Sequence, residues 1–156
     1  MPDVAVAHDA DPFVTAYPWT SGTGFGTKYT DPSTKPASHG NGVAFCGDKD
    51  VAVAHRNTPF VTAYPWTSGT GFGTKYTNPT TTPASTGRGV AFCGDKDVAV
   101  SHVTTPFVTA YPWTSGTGFG TKYTDPTTTP TGNGIGVAFS VIAEISRWRS
   151  AFFPFM

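Results

Sequence analysis

Hydrophobic and polar positions alternate along this chain in short bursts. VAVAH at 51–55 sets Val51 and Val53 against Ala52 and Ala54. FVTAYPW at 60–66 sets Phe60, Thr62, Tyr64 and Trp66 against Val61, Ala63 and Pro65. In FGTKY at 72–76 Phe72, Thr74 and Tyr76 share one side, and in GVAF at 89–92 Val90 and Phe92 oppose Ala91. A period of two is that of a β-strand, and β-branched and aromatic residues favour it. The intervening segments carry Gly, Pro, Asn, Asp and Thr, the residues of turns. No helical period occurs in this pattern. Each predicted strand has a bulky side and a small, alanine-rich side.

The pattern recurs every 47 residues. PFVTAYPWTSGTGFGTKYT at 12–30 returns letter for letter at 59–77 and 106–124. The units are 3–49, 50–96 and 97–139, and the first two differ at eight positions, mostly in loops. A four-stranded sheet with such faces cannot bury itself, but stacked on a copy its bulky side meets the neighbour's alanines. Repeats of roughly 40–45 residues with four strands each are the pattern of a β-propeller. The expected fold is all-β, a propeller-type array of three four-stranded antiparallel blades. The chain opens on the second strand of a blade, 4–8, and its regular pattern closes on a first strand, 136–139, making twelve strands. The first blade is therefore expected to be completed by the C-terminal strand or by another chain. Propellers have about four to eight blades, so either the ring closes between chains, two of them giving six blades, or the sequence is part of a longer array.

These features resemble the WD40-like β-propeller family. The tryptophan that closes the third strand of each blade in that family has counterparts in Trp19, Trp66 and Trp113. The family's first strand and tight turn resemble GVAFCGDKDVAVAH at 42–55 and GVAFCGDKDVAVSH at 89–102. The aspartate that follows the family's tryptophan is Thr20, Thr67 or Thr114 here, and only His39 lies near the place of its Gly-His pair. The resemblance is one of pattern and runs to about residue 139. PFVTAYPW and GFGTKY also resemble tandem repeats of phage and environmental propeller proteins.

Composition narrows the function classes. A net charge of zero with 13% charged residues provides no basic face, so no nucleic-acid partner is expected. Aromatic residues at 14% place the chain outside disordered compositions. Cys46 and Cys93 occupy equivalent places, with Ser140 in the third copy, which is neither a disulfide framework nor a zinc signature. Both read as free thiols. Met1, Pro2 and Asp3 do not begin a signal peptide, and no apolar run of about 18 residues occurs, so no membrane partner is expected. A cytoplasmic or virion-associated place is left open. Residues 140–156, SVIAEISRWRSAFFPFM, depart from the repeat and read as a strand or a short helix. Three roles stand for this tail: an unrelated extension, an edge cover or oligomer contact, or a basic aromatic membrane anchor.

Candidate chemistry is sparse. GTGFGTK at 22–28 satisfies neither phosphate-loop spacing and joins two strands. His8, His55 and His102 each end a second strand, and equivalent positions on successive blades do not converge on a metal. They read as hydrogen-bonded, blade-structural residues, as do Trp19, Trp66 and Trp113; Asp9 and Asp11 beside His8 are a weak cation alternative. Asp48, Asp50, Asp95 and Asp97 sit in GDKD turns, where two carboxylates fall short of the roughly six to eight oxygens of calcium, and read as turn residues with Lys49 or Lys96. Any catalytic set would occur three times over, so neither an enzyme nor a cofactor is expected. Contacts are expected in the variable loops, with Asp9, Asp11, Arg56, Asn57 and Thr104 on one rim and His39, Asn41, Arg88 and Asn133 on the other. The function expected is a structural or binding module that presents loops to a protein partner and self-associates to close a ring. The alternatives are a carbohydrate-binding propeller, for the Tyr and Trp beside polar turns, and a fragment of a larger propeller with no function of its own.

Overall fold

The computed structural model describes residues 1–140, and the expectations for the tail beyond them lie outside the described residues. The alternation becomes eleven strands in three antiparallel sheets, the second and third each taking its first strand from the end of the preceding repeat, with no helix among the described residues. Sheet I holds β1 (Asp3–Ala7), β2 (Val14–Thr20) and β3 (Gly24–Phe25). Sheet II holds β4 (Gly40–Cys46), β5 (Asp50–His55), β6 (Val61–Thr67) and β7 (Gly71–Phe72). Sheet III repeats it with β8 (Gly87–Cys93), β9 (Asp97–His102), β10 (Val108–Thr114) and β11 (Gly118–Phe119). In every sheet sequence neighbours are hydrogen-bonded neighbours.

Register turns the alternation into two unlike faces. In sheet II, Val43 pairs with Val53 and Phe45 with Val51, which in turn pairs with Tyr64. Ala44 pairs with Ala52, and Ala52 with Ala63, so the alanines line the opposite side. Stacking then follows. Val51, Val53, Tyr64 and Trp66 of sheet II bury themselves against Val14, Ala16 and Tyr29 of repeat 1. Val98, Val100, Tyr111 and Trp113 of sheet III do the same against Ala52, Ala54, Ala63 and Tyr76 of repeat 2. Burying an aromatic or branched side chain contributes about 1.5–3 kcal/mol, so these contacts supply most of what a lone sheet lacks.

The sheets approach most closely along their first strands. A Cβ on Gly42 of β4 would stand 2.7 Å from the carbonyl oxygen of Arg88 and 3.0 Å from the Cα of Gly89 in β8. Only a residue without a side chain allows that backbone-to-backbone approach.

Two strand expectations need correction. The last strand of each sheet is two residues long instead of running on, as through 72–76 in the second repeat. Gly73 donates to the carbonyl of Pro65 at 2.8 Å, but Pro65 has no N–H to return the bond, and the ladder stops. Tyr76 then makes a single further bond, N–H to the Ala63 carbonyl at 2.9 Å. The twelfth strand, at 136–139, is not formed and does not complete sheet I. That segment stays with its own repeat. Gly134 donates to the His102 carbonyl at 3.0 Å, as Gly40 donates to that of His8 at 2.9 Å, and a Cβ on Gly89 would stand 3.0 Å from Gly136 Cα. The strands β4 and β8 have partners because GDKD turns bring the chain back as β5 and β9. The sequence after Phe139 leaves the repeat and has no GDKD.

Candidate interaction surfaces

The residues that join the sheets form a repeated polar network. Asp50 opens β5 and is fully buried. Its Oδ1 accepts the Tyr76 hydroxyl of its own repeat at 2.6 Å, and its Oδ2 accepts the indole N–H of Trp113, in the next repeat, at 3.1 Å. The Tyr76 oxygen in turn accepts the backbone N–H of Gly116 at 2.9 Å. One repeat earlier the same parts recur, with Tyr29 on Asp3 at 2.8 Å, Trp66 on Asp3 at 3.1 Å and Gly69 on Tyr29 at 3.0 Å. Burial, with the hydrogen bond to Asp50 beside it, raises the Tyr76 phenol above its ordinary value and keeps it a donor. This network was missed in the sequence. Its signal is that Asp, Tyr and Trp hold fixed places in all three copies, but their spacing of 26 and 63 residues means nothing until sheets stack.

Aromatic edges surround the same tryptophans. Trp113 meets Tyr76, Phe92 and Phe119 edge-on at centroid distances of 5.2, 5.1 and 5.1 Å. Trp66 meets Tyr29, Phe45 and Phe72 in the same way. Trp66 and Trp113 are thereby taken up in sheet contacts and offer no open platform for a sugar ring.

The histidines also sit in repeated settings. Nε2 of His8, His55 and His102 bonds the hydroxyl of Thr15, Thr62 and Thr109 at 2.8, 2.8 and 2.9 Å. Burial pushes His55 down to about 4 and lowers His102 in the same direction. Among the described residues no three His, Cys, Asp or Glu side chains gather as a metal site.

The GDKD turns reach across sheets. Lys49 pairs with Asp95 of the next repeat, and Cys46 Sγ–H donates to the Gly94 carbonyl at 3.0 Å and to Asp95 at 3.3 Å. Burial, then the neighbouring Asp95, pushes the Cys46 thiol up to about 12. Pairing with Lys49 lowers Asp95. Both cysteines are free; Cys46 is buried and Cys93 half-buried.

The variable loops do not divide between two rims. Gly40 pairs with His55, so the start of β4 and the end of β5 lie at one end of the sheet. Arg56 N–H donates to the His39 carbonyl at 3.1 Å, and Asn57 N–H to Ser38 Oγ at 2.9 Å. Thr104 N–H donates to Ser85 Oγ at 3.1 Å. Both loop sets therefore share one rim, and the opposite rim carries the GDKD and TSGTG turns. The antiparallel register that the sequence pattern implied already required this. On the loop rim, Asp9 and Asp11 are exposed, and Asp11 is paired with Lys35 at 2.7 Å. Arg56, Asn57, Arg88, Thr104 and Asn133 are exposed. Asn41 Nδ2 donates to the Gly87 carbonyl at 2.8 Å, and His39 stacks on Phe13 at 6.1 Å. Arg88, Val103, Asn133, Gly134 and Ile135 line a cavity of about 260 Å³ on this rim. Its tips run from acidic at sheet I, through basic Arg56 and Arg88, to uncharged Thr104.

Comparison with protein-family models, curated proteins and solved structures finds no match. Among the described residues no helix is long and apolar enough to cross a membrane.

Proposed function

We propose that the chain is an assembly and binding module, a propeller-type array whose three blades join those of another copy and whose loop rim contacts a protein partner. One observation carries the reading: both sheet contacts within the chain join a bulky face to a small face, and at each of the two ends large apolar side chains that are buried between sheets elsewhere stand exposed. At the first end Val6 is 45% and Phe25 62% exposed, where Val53 is fully buried. At the other end Tyr123 is 47% exposed, where Tyr29 and Tyr76 are 9%. Two copies make six blades, within the range of about four to eight that propellers use. The rim loops vary more between repeats than the strands, which differ at Ala54/Ser101 and Asn41/Arg88, and this suits a rigid frame carrying recognition residues. The polar groups that are well held serve every repeat alike, which supports a module over an enzyme. Light scattering and sedimentation across concentrations test the assembly. A species of twice the 16.4 kDa chain mass is expected, and a monodisperse monomer overturns the reading.

A further inference from the structure

The two ends of the array are complementary in detail. In sheet I, Trp19 meets Phe25 edge-on at 5.0 Å, the counterpart of the Trp66–Phe72 and Trp113–Phe119 pairs. Each later tryptophan has three more partners from the preceding repeat: a Tyr ring, a Phe ring at the end of the first strand, and an Asp oxygen for the indole N–H. Trp19 has none of these three among the described residues. By the 47-residue repeat, the counterparts are Tyr123, Phe139 and Asp97, all at the other end of the same chain. Asp97 Oδ1 already accepts the Tyr123 hydroxyl at 2.7 Å, as Asp3 and Asp50 accept Tyr29 and Tyr76. No indole reaches its Oδ2 among the described residues. The sheet edges match as well. Sheet I lacks a first strand, so the outer edge of β1 has no partner strand among the described residues. Residues 136–139, GVAF, have the wording of β4 and β8 but pair with no strand among the described residues.

We propose that two copies associate head to tail, residues 136–139 of one copy adding to β1 of the next while Trp19 of that next copy enters the Asp97–Tyr123–Phe139 socket. The β4–β5 register sets the pairing, Val137 opposite Val6 and Phe139 opposite Val4, as Val43 stands opposite Val53 and Phe45 opposite Val51. Strand addition and the tryptophan socket call for the same placement, because in the chain itself both lie at the boundary between successive repeats. Main-chain bonds give such an edge its affinity and the alternate side chains its register. The occupant is a second copy because the chain shows twice what seats on each face. The proposal rests on the self-association put forward above and adds its geometry.

A cysteine pair tests it. In a Cys46→Ser, Cys93→Ser background, Val6→Cys with Val137→Cys is oxidised mildly and run without reductant. Directly opposed residues on antiparallel strands lie within disulfide reach, so a covalent dimer is expected. Val6→Cys with Ala138→Cys is out of register by one residue, points to opposite faces and is expected to give none. On the otherwise unchanged chain Trp19→Phe removes the indole donor, and the dimer dissociation constant is expected to rise by about tenfold. A dimeric mass with no cross-link and no effect of Trp19→Phe overturns this junction and leaves self-association standing. A monomeric mass overturns both. A disulfide formed within one chain overturns the second copy as occupant.

Discussion

Asp50 and Trp113 lie 63 residues apart in sequence and meet in the contact between sheets II and III, the indole N–H donating to Oδ2 at 3.1 Å. With Tyr76 on Oδ1, one buried carboxylate binds its own repeat to the next. Burying a carboxylate is costly unless strong donors reach it. Here both oxygens are engaged, so the group fixes which face of one sheet sits on which face of the other. Alanines against aromatics would tolerate sliding; a directed N–H and O–H on one carboxylate do not.

Asp50→Ala should therefore be among the most damaging single changes. It strands a buried phenol and a buried indole N–H, and each orphaned donor costs about 1–3 kcal/mol. A loss of about 2–4 kcal/mol is expected by urea denaturation. Asp3→Ala makes the same change where the aspartate is only half-buried, and should cost less. Equal losses at the two positions would show that the network does not hold the sheets.

The histidines set a pH dependence. Burial holds His55 at about 4 against an ordinary 6.5, so between those values the folded protein binds fewer protons than the unfolded chain. The stability is fully present above 6.5 and is lost as pH falls toward the folded value. The full window is worth on the order of 3 kcal/mol, and His102 adds in the same direction. The urea midpoint should fall between pH 7 and pH 5, above the range where ordinary carboxylates titrate. His55→Gln should flatten that slope. A midpoint constant across the window would contradict the burial of these rings as neutral imidazoles.

Much of this fold can be read from the alternation itself. Val51 and Val53 against Ala52 and Ala54 already state the two faces, and the 47-residue repeat states that faces of unlike size will stack. The strand ends are harder, because they turn on single hydrogen bonds. Pro65 ends the fourth strand by lacking a donor, although it stands on its neighbour β6. The interaction surfaces are harder still. Asp50 reads as one of four turn carboxylates, and only stacking brings Trp113 to it while leaving Asp48 at the exposed turn. The shared loop rim follows from antiparallel register, and needs only that the start of β4 be traced to the end of β5.

The cysteines should differ sharply in reactivity. A thiol reacts as its thiolate. Cys46 is 2% exposed, donates to Gly94 and Asp95, and is pushed up to about 12. Cys93 is half-buried at the end of the third sheet. With a maleimide at pH 7.5 the native protein should label at Cys93 first, and Cys46 should follow only on unfolding, read by peptide mass. Equal native rates would mean that the Cys46 contact with the next turn is open in solution.

The last prediction concerns space rather than charge. Gly87 opens β8 where the chain crosses the end of sheet II, and a Cβ there would fall on the carbonyl oxygen of Phe60, 3.2 Å from the backbone nitrogen of His55. The obstacle is backbone on both sides, held by the His55 N–H to Phe60 carbonyl bond at 2.9 Å, so no rotamer change relieves it. Gly40 faces the carbonyl of Phe13 and Gly134 that of Phe107 in the same way, which makes this crossing a feature of every repeat. Gly87→Ala must either push β8 away from sheet II or break that bond, and overpacking of this kind costs about 1–3 kcal/mol. Gly132 has open space around it, and Gly132→Ala should shift stability by no more than about 0.5 kcal/mol. Thermal and urea unfolding of the two variants side by side separate the close approach from a general dislike of alanine. A Gly87→Ala protein as stable as Gly132→Ala would mean that consecutive repeats do not cross this tightly.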